Sequence, residues 1–558
     1  MLIRKFLLGV CVMMLLATAG RAQNNEPPAT DQPAYIHPET PEQRRTRIGT
    51  ADDPGPDPDP SKHFWRFGQS YHIEKVPRRM VGFDAPLGFV KPSRLTPLFD
   101  LELYQATKDY VWVWAPDNPV PTAEQQPEDK YDDRTYAFLN RIRSEFAPLT
   151  PPSSGKTIHF RESSSGLPTS GSWRSSLAVA DMNEDGCPDI ITPPERKGSG
   201  APFILLGDCK GNWKLWTDMK FPHGIDYGGV AVADFNKDGH MDLVFGVHLQ
   251  GIYVFLGDGK GNFTEVTKGL PRDFPTRRVI ATDVDHDGYP DIVAINEGPT
   301  QGALAGREPL HAYLNRNKGM EWQTLPISPY DAKLGGEWLS EGNFNGDSYP
   351  DFLASSVYYG SMDVVYLSSG AKKWKKLEST GELLPSMAYY FANTAGHFSS
   401  RRRDDAILSY IRYWPGDANP SRVRPPDSSL VSAIDRVVFA NGKPPHREPI
   451  FRVAGSGGFV GLATGDFDGD KNTDLVYVTG NPRSLGILLG DGHGGFRTAQ
   501  VDGITLASNP IYDVKVADVN NDGRPDIIVM YEAGGNAAGS IHVYLNTGTD
   551  TVAPQTAK

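Results

Sequence analysis

The chain has 558 residues, a formal net charge of −12 and three cysteines. This length allows one large repeat domain with an attached region. The acidic balance and the lack of a basic stripe argue against a nucleic-acid partner. No apolar stretch beyond the first residues is long enough to span a membrane.

The first residues have the pattern of a secretory signal peptide. A basic pair precedes an apolar run from Phe6 to Ala19, and small residues lie near an expected cleavage site after Ala22. We therefore expect residues 1–22 to direct a secreted or periplasmic protein. Residues 23–62 are rich in Pro and Asp and poor in apolar residues, which predicts a disordered linker.

Residues 63–150 combine strand and helix patterns. The run DYVWVW (109–114) favours a strand. Farther along, Leu139, Ile142 and Phe146 have the spacing of one helix face. We expect a small mixed N-terminal extension that packs on the repeat domain.

From residue 156 onward, an Asp-rich loop recurs with the pattern D-x-[DN]-x-D-G-x-x-D-[IL]. Six copies begin at Asp181, Asp234, Asp283, Asn343, Asp466 and Asp518. A further copy, HFSSRRRDDAIL from His397, keeps the frame but has lost most of its acids. The copies are roughly 50–70 residues apart with β-prone runs between them, which indicates a propeller or a similar array.

Each of the six loops offers the oxygen ligands that Ca²⁺ prefers. The ligands are side-chain oxygens at positions 1, 3, 5 and 9 and the backbone carbonyl at position 7. The predicted metal residues are Asp181, Asn183, Asp185, Cys187, Asp189, Asp234, Asn236, Asp238, His240, Asp242, Asp283, Asp285, Asp287, Tyr289, Asp291, Asn343, Asn345, Asp347, Tyr349, Asp351, Asp466, Asp468, Asp470, Asn472, Asp474, Asp518, Asn520, Asp522, Arg524 and Asp526. We expect about six structural ions, because such a closed cage leaves no position open for catalysis.

Two other structures explain these loops less well than calcium sites do. An EF-hand fails because position 12 is never Glu and the flanks favour strands. A solvated turn would explain one isolated copy but not six in frame. Glycine at position 6 permits a left-handed turn, and Ser348 and Lys471 stand there in two copies, where we expect some strain.

A second motif follows the loops, seen in LLGDCKGNW (205–213), FLGDGKGNF (255–263) and LLGDGHGGF (488–496). Together the two motifs resemble those of the FG-GAP/VCBS repeat family, which includes the head of integrin α-chains. The resemblance covers about 156–546. It implies an all-β, seven-bladed β-propeller with calcium in the loop between the first two strands of a blade.

The same resemblance implies no metal between His397 and Asp405. The last repeat lacks an outer strand, which the segment 156–163 can supply so that the ring closes. Residues 547–558 are expected to form a disordered tail.

Cys187 lies in the first Asp loop and Cys209 in the turn of the second motif. The first and third turns of a four-stranded meander lie at the same end, so a disulfide is geometrically plausible in an oxidising compartment. Two free buried thiols are the alternative.

The end of the repeats opposite the Asp loops is enriched in Arg and aromatic residues, as recognition surfaces are. These residues are Trp173, Arg174, Arg196, His223, Tyr227, His248, Arg277, Arg278, Arg307, Trp338, Tyr358, Tyr359, Tyr389, Tyr390, Arg412, Tyr413, Trp414 and Tyr512. The predicted ligand-binding face comprises Trp338, Tyr358, Tyr359, Arg412, Tyr413 and Trp414. Alternatively, individual aromatic residues line the channel or pack between blades.

Three function classes are compatible with this pattern. The favoured one is a secreted, monomeric binding or adhesion module for an extracellular protein or glycan. The second is a polysaccharide lyase acting on uronic-acid glycans, for which His223, Tyr227, His248 and Arg277 are the candidate residues. The third is a structural scaffold in a surface assembly. Neither G-x-S-x-G nor H-E-x-x-H occurs, so no motif demands catalysis.

Overall fold

A computed structural model of the chain describes residues 63–66, 69–77, 103–106, 110–116, 147–174, 176–196, 200–248, 250–272, 274–296, 310–328, 336, 338–355, 363–377, 388–413, 430–439, 445–454, 458–480, 482–533 and 538–551. Every regular element in these ranges is a β-strand, and none is a helix that could cross a membrane. The strands belong to two compact units, the first four to one and all later strands to the other.

The first unit contains a four-stranded antiparallel sheet. Its strands are β1 (His63–Arg66), β2 (Gln69–Pro77), β3 (Leu103–Ala106) and β4 (Tyr110–Pro116), in the order β1-β2-β4-β3. The strand predicted from DYVWVW is therefore present as β4. The signal peptide, the linker and the helix predicted around Leu139 and Ile142 lie outside the described residues.

The second unit begins with β5 (Ser153–Glu162) and continues with successive meanders of antiparallel strands. Meander 1 is β6 (Ala178–Ala180), β7 (Asp189–Thr192), β8 (Phe203–Gly207) and β9 (Trp213–Leu215). Meander 2 is β10 (Gly228–Ala233), β11 (Asp242–Val247), β12 (Gly251–Gly257) and β13 (Phe263–Glu265). Meander 3 is β14 (Thr276–Thr282), β15 (Asp291–Asn296), β16 (Leu310–Arg316) and β17 (Glu321–Pro326).

The next meanders repeat this order. Meander 4 is β18 (Trp338–Gly342), β19 (Asp351–Ser355), β20 (Asp363–Ser368) and β21 (Trp374–Leu377). Meander 5 is β22 (Ala388–Gly396), β23 (Asp405–Tyr413), β24 (Leu430–Val438) and β25 (His446–Ala454). Meander 6 is β26 (Phe459–Gly465), β27 (Asp474–Gly480), β28 (Arg483–Gly490) and β29 (Phe496–Asp502), and meander 7 is β30 (Ile511–Ala517), β31 (Asp526–Tyr531) and β32 (Ser540–Thr551).

The strand register places the Asp loops at one end of the meanders. In meander 2, Ala233 pairs with Asp242 beside the loop, and Gly228 pairs with Val247 at the far end. The same hairpin register recurs in the other meanders, so their Asp loops lie at the corresponding end. The residues just before each first strand and just after each second strand therefore lie at the opposite end, here called the rim.

The hydrophobic core lies between consecutive meanders. One cluster, for example, joins Val244 and Val254 of meander 2 to Ile292 and Tyr313 of meander 3. Each sheet thus buries apolar side chains on both faces, which explains why the second strands are apolar at nearly every position. Sheets stacked through their faces in sequence order form the predicted all-β, propeller-type arrangement, which is confirmed.

The first and last meanders also share a core cluster, so the series of sheets closes on itself. Ile190 and Leu205 of meander 1 pack with Ile528 and Val543 of meander 7. The backbone N–H of Gly539 also donates to the carbonyl of Gly171 at 2.8 Å.

β5 joins the beginning of the repeats to their end. It pairs antiparallel with β32, as the outer strand that meander 7 otherwise lacks, which is the role predicted for 156–163. It also pairs in parallel with β29 of meander 6, which was not predicted. Backbone hydrogen bonds therefore connect the last two meanders into one sheet and cover two strand edges at once.

Candidate metal loops and a candidate ligand-binding rim

The ninth residue of each Asp loop is a fully buried aspartate that begins the second strand. In the first loop, Asp189 accepts hydrogen bonds from the backbone N–H of Met182 at 2.8 Å and of Gly207 at 2.9 Å. Because Gly207 ends the third strand, one carboxylate links the loop, the second strand and the third strand. The same pair of bonds recurs at Asp242, Asp291, Asp351, Asp474 and Asp526.

Burial disfavours the charged form of these aspartates. Loss of hydration raises the pKa from 3.8 to about 6 at Asp351, to about 8 at Asp474, and to about 7 at Asp189, Asp242, Asp291 and Asp526. Neighbouring loop carboxylates raise the pKa of Asp189 further. A bound cation has the opposite effect, because it stabilises the carboxylate.

The first and fifth positions fold the loop backbone into a tight turn. In the second loop, Asp234 accepts the N–H groups of Asp238 at 3.1 Å and Gly239 at 2.9 Å. Asp238 in turn accepts the N–H of His240 at 2.9 Å. Position 6 is left-handed even without glycine, with φ of 74° at Ser348 and 68° at Lys471, so the unfavourable conformation expected there is present.

The donor set fits a hard cation best in the third and sixth meanders. Carboxylate oxygens of Asp283, Asp285 and Asp291 lie within 4.8 Å of one another, as do those of Asp466, Asp468 and Asp474. Within the described residues, the buried Oδ1 of Asp285 has no hydrogen-bond partner. An orphaned buried carboxylate oxygen beside two further carboxylates is the arrangement that Ca²⁺ completes. The other four loops have Asn at position 3, which offers an amide oxygen instead.

Basic side chains lie against the extra carboxylate of these two loops. Lys156 Nζ is 2.6 Å from Asp468 Oδ2. Lys372 Nζ is 2.8 Å from Asp285 Oδ2, and Arg316 Nη2 is 3.2 Å from the same atom. Each pair offsets part of the negative charge of its loop.

Neighbouring loops contact each other through a repeated pair of positions, the fourth residue of one loop and the seventh of the next. Glu184 forms an ion pair with His240. Lys237 Nζ lies 5.3 Å from the ring centroid of Tyr289. The fourth residue has a left-handed backbone at both Glu184 and Lys237, with φ of 61° and 58°.

Contacts between neighbouring loops continue at the end of the meanders that holds the Asp loops, called the metal end below. The His286 ring stacks on Tyr349 with centroids 4.2 Å apart. In the last loop, Asn521 Nδ2 donates to the carbonyl of Gly186 in the first loop at 2.7 Å. The Asp loops therefore connect meander to meander, a role that the motif alone did not predict.

Cys187 and Cys209 form a disulfide, with their Cα atoms 5.2 Å apart. Cys187 is the seventh residue of the first loop, and Cys209 lies in the turn between β8 and β9. The bond therefore attaches the first loop covalently to the third strand of its own meander.

In meander 5, the one that lost its acids, a guanidinium group lies beside the ninth-position aspartate. Asp405 occupies the ninth position and is buried, and Arg436 Nη1 lies 3.2 Å from its Oδ2. Arg436 is itself buried and also pairs with Glu448. A Cβ added to Gly494 would lie 1.7 Å from Arg436 Nη1. Glycine at this position therefore makes room for the arginine.

An acidic cavity of about 450 Å³ lies at the metal end, between the loops of meanders 3, 4 and 5. Its lining includes Asp283, Glu341, Asn343 and Asp404. Because Asp283 and Asn343 are themselves first residues of Asp loops, this cavity belongs to the metal end.

At the rim, arginine and aromatic side chains meet. The group, called the rim cluster below, consists of Arg174, Arg196, Tyr227, His248, Arg277 and Tyr512. The Tyr227 ring lies 5.3 Å from the guanidinium carbon of Arg277, 5.9 Å from that of Arg196 and 4.6 Å from the ring centroid of His248. Arg277 Nη2 is 3.3 Å from His248 Nδ1.

The rim cluster extends from meander 3 through meanders 2 and 1 to meander 7. Arg174 lies over the Tyr512 ring at 6.0 Å. Glu532 Oε1 lies 3.8 Å from Arg174 and 3.9 Å from Arg196. These arginines share one carboxylate at distances longer than a normal hydrogen bond.

Beside the cluster, Arg278 connects meanders that are not neighbours. Its Nη2 lies 3.3 Å from Asp513 Oδ1 of meander 7, and its guanidinium carbon lies 4.5 Å from the ring of Trp338 in meander 4. Arg278 and Asp513 are both largely buried, so this pair links meander 3 to meander 7 away from solvent.

Two residues predicted for the rim, Trp173 and His223, are found elsewhere. Trp173 is buried in the core and contacts Phe203, so its prediction as a surface residue is wrong. His223 contacts Glu265 and Tyr253 instead of joining Tyr227, His248 and Arg277. Three of the four residues predicted for a lyase site, Tyr227, His248 and Arg277, therefore lie together. The bond to the Gly224 carbonyl and the Glu265 carboxylate raise the pKa of His223.

The remaining residues predicted for the rim, including the predicted ligand-binding face, are described only in part. Trp338 lies at the rim against Arg278. Arg412, Tyr413, Tyr389 and Tyr390 lie in strands whose backbone alone is described at these positions, and Arg307, Tyr358, Tyr359 and Trp414 lie outside the described residues.

Comparison with known proteins agrees with this architecture. Residues 197–245, 244–294 and 466–529 match the FG-GAP-like repeat family, and each match contains at least one Asp loop. Phosphatidylinositol-glycan-specific phospholipase D of Rattus norvegicus is 27% identical over 191 residues, which are 29% of this chain and 22% of that protein. Integrin alpha-IIb of Homo sapiens is 28% identical over 169 residues, 24% of this chain and 16% of that protein. The chain thus spans about a fifth of the curated relatives that it matches.

Among solved structures, the V. cholerae biofilm matrix protein Bap1 is 14% identical, with a TM-score of 0.34 over 67% of this chain and 77% of that chain. The fold and the loops define an all-β repeat protein of the propeller type. Three segments of the chain match the FG-GAP-like repeat family, which agrees with the resemblance that the two sequence motifs show.

The buried aspartates predict an unusual pH dependence of stability. In EDTA, the folded state holds protons that the unfolded state releases between about pH 4 and about pH 8, so stability should fall as pH rises through this window. We expect the melting temperature in EDTA to be higher at pH 5.5 than at pH 8. In excess Ca²⁺ the melting temperature at pH 8 should rise well above its EDTA value, since an ion bound only by the folded state stabilises it. Calorimetry that shows no effect of EDTA at pH 8 would contradict the metal assignment.

The stability of meander 5 should depend on Arg436 and not on calcium. Replacing Arg436 by Met leaves Asp405 buried without its guanidinium and should destabilise the fold by about 3–5 kcal/mol. The matched control is Lys268→Met, which breaks the exposed pair with Glu321 and should cost about 1 kcal/mol or less. Urea unfolding in calcium and in EDTA should show the same loss for Arg436→Met. A loss seen in EDTA but not in calcium would assign this meander a metal, because a bound cation would then compensate the charge of Asp405.

Proposed function

We propose that this chain is a secreted, calcium-stabilised binding or adhesion module that recognises an extracellular protein or glycan at the rim. The observation that carries the proposal is the rim cluster, where Tyr227, Arg277 and His248 meet at the end opposite the Asp loops. Arg and Tyr are the residues that dominate binding energy at recognition sites.

The two ends of the meanders have different chemistry, which supports this assignment. At the metal end, carboxylates accept backbone hydrogen bonds within their own loops, as Asp234 does. Those side chains are occupied in holding the loop. At the rim, residues from different meanders converge on shared partners, as Arg174 and Arg196 do on Glu532. Binding residues commonly sit at loop ends on a rigid scaffold.

The relatives support the same class of function. Integrin alpha-IIb carries a region similar to these repeats. The Asp-rich loops of this chain bring carboxylates close enough together for a divalent cation. A calcium-stabilised extracellular module is consistent with both observations and with the signal peptide expected at residues 1–22.

A polysaccharide lyase is the second candidate, because Tyr227, His248 and Arg277 lie together. Such an enzyme needs a base, an acid and a cation that neutralises the developing carboxylate charge. Imidazole, phenol and guanidinium could supply these three roles. His223, which lies with Glu265, is not part of this arrangement.

The proposal is tested by binding to an array of extracellular glycans and matrix proteins. We expect at least one ligand to bind, and the variant Tyr227→Ala to weaken binding about tenfold or more. The matched control is Tyr253→Ala, which removes another tyrosine that carries an arginine, Arg272, on its ring. Equal binding by wild type and Tyr227→Ala, with both folded by circular dichroism, would contradict the rim as the binding site.

The same array separates binding from catalysis. Ultraviolet absorbance of unsaturated sugar products should stay flat with every polysaccharide if the chain only binds. Product formation that His248→Ala abolishes would establish the lyase instead.

A further inference from the structure

The disulfide between Cys187 and Cys209 lies where the first and last meanders meet. Asn521 of the last loop donates from Nδ2 to the carbonyl of Gly186 at 2.7 Å, and the same nitrogen lies 3.3 Å from Cys209 Sγ. Gly186 directly precedes Cys187 in the first loop. The last loop therefore contacts both the loop and the turn that the disulfide joins.

The turn that carries Cys209 is itself held by the chain segment that follows β5. Ser163 Oγ donates to the carbonyl of Gly211 at 2.8 Å, and Trp213 Nε1 donates to the carbonyl of Ser163 at 2.9 Å. The N–H of Ser163 in turn donates to the carbonyl of Val543 in meander 7 at 2.8 Å. The turn is thus connected to meander 7 through Ser163, and the disulfide extends this connection to the first loop.

The same turn lies against the seventh loop residue in other meanders, but without a covalent bond. Glycine takes the place of Cys209 there, as Gly259 in meander 2 and Gly492 in meander 6. A Cβ added at Gly259 would lie 2.9 Å from Nδ1 of His240. One added at Gly492 would lie 2.5 Å from Oδ1 of Asn472, and both neighbours are the seventh residues of their loops. The disulfide therefore replaces one of several equivalent contacts, the one beside the last loop.

The contact between the first and last loops spans a long stretch of chain. Asn521 and Gly186 are 335 residues apart in sequence. Glu184 and His240, which connect the first and second loops, are 56 residues apart. The entropy lost when two segments meet grows with the length of chain between them. A first loop that the disulfide already fixes loses less conformational freedom when the last loop contacts it, so a covalent constraint is most useful here.

The disulfide also fixes a residue that offers an expected calcium ligand. The backbone carbonyl of Cys187 occupies the seventh position of the loop. The N–H of Cys187 donates to Asp185 Oδ1 at 2.8 Å, and the N–H of Gly186 donates to Asp181 Oδ2 at 2.8 Å. Ligands that are held in place before an ion arrives lose less conformational entropy when it binds. The first loop should therefore bind calcium more tightly with the disulfide than without it.

We propose that the disulfide is a redox-sensitive constraint that strengthens calcium binding by the first Asp loop and holds this loop against the last one. Both cysteines are partly exposed, so a small dithiol can reach them. One thiolate of the dithiol attacks one sulfur and releases the other cysteine, and the second thiol then releases the first cysteine. The dithiol leaves as its own disulfide, and Cys187 and Cys209 take up its two electrons and two protons. This inference rests on the calcium-binding part of the proposed function.

The test follows amide hydrogen exchange of the full chain by mass spectrometry at graded calcium concentrations, before and after reduction with dithiothreitol. The double variant Cys187→Ser, Cys209→Ser removes the same bond without a reductant. In both cases we expect the calcium concentration that protects residues 181–189 to rise about tenfold, because the ion must then fix about one further residue. Residues 518–526 should exchange faster as well. The loops at 283–291 and 466–474 should not change.

The double variant treated with dithiothreitol is the matched control. It has no disulfide to reduce, so its exchange should be the same with and without the reductant. Unchanged protection of residues 181–189 after reduction, with the two thiols verified by alkylation, would overturn the inference. An equal loss at all six loops, or loss of the β-sheet circular dichroism, would show a general effect on the fold and would also overturn it.

The same measurement separates this inference from the calcium assignment. If calcium protects none of the Asp loops before reduction, the calcium assignment fails and this inference fails with it. If calcium protects the loops equally before and after reduction, the calcium sites stand and only the role of the disulfide is overturned.

Discussion

A buried carboxylate at the ninth position of each repeat is the interaction on which this architecture depends. Asp242, for instance, accepts the N–H of Phe235 in its loop and of Gly257 at the end of the third strand. The loop, the second strand and the third strand of a meander are thereby fixed by one side chain. The arrangement creates an electrostatic difficulty, because burial raises the pKa of the acid to about 7 and so disfavours its charge.

Positive charge can stabilise the ionised form of these buried aspartates in two ways. In the third and sixth meanders, carboxylate oxygens gather within 4.8 Å, as a divalent cation requires. In meander 5, the guanidinium of Arg436 lies beside Asp405. The buried carboxylate is thus compensated by an arginine side chain in meander 5 and by ligands for a metal ion in meanders 3 and 6. In meander 6 both occur together, because Lys156 also pairs with Asp468.

Much of this could be predicted from the sequence because the information is local. The spacing of Asp, Asn and Gly within ten residues defines each loop, and the run after Asp189 or Asp242 defines the strand that follows. The partner of β32 could also be inferred, since an unpaired edge in a closed ring needs a strand and 156–163 lies just before the first repeat.

The features that could not be predicted are contacts between residues that are far apart in the sequence. The pairing of Glu184 with His240 joins two loops that are far apart in the chain, and no motif records it. Arg436 lies on a different strand from Asp405, so its role follows only from the fold. Trp173 was misplaced because an aromatic residue before a strand can face the core or the rim, and only packing against Phe203 decides between them.

The β-bulges at the rim also could not be predicted, because strand register depends on the pairing of distant residues. Regular alternation would place Arg277 and Arg278 on opposite faces of β14, but the extra residue changes the direction of Arg277. It contacts Tyr227, while Arg278 reaches Asp513. Sequence reasoning predicted that these residues lie at the end opposite the Asp loops. It did not find which of them meet.

We propose that the buried aspartates of this fold are compensated by calcium in the Asp loops and by Arg436 in meander 5. Equilibrium dialysis of the chelator-stripped protein against radioactive calcium tests this proposal. We expect roughly six ions per chain at saturation, with the same number bound by the Arg436→Met variant once it is shown to be folded. Binding of no calcium to the folded protein would show that the Asp loops are not calcium sites.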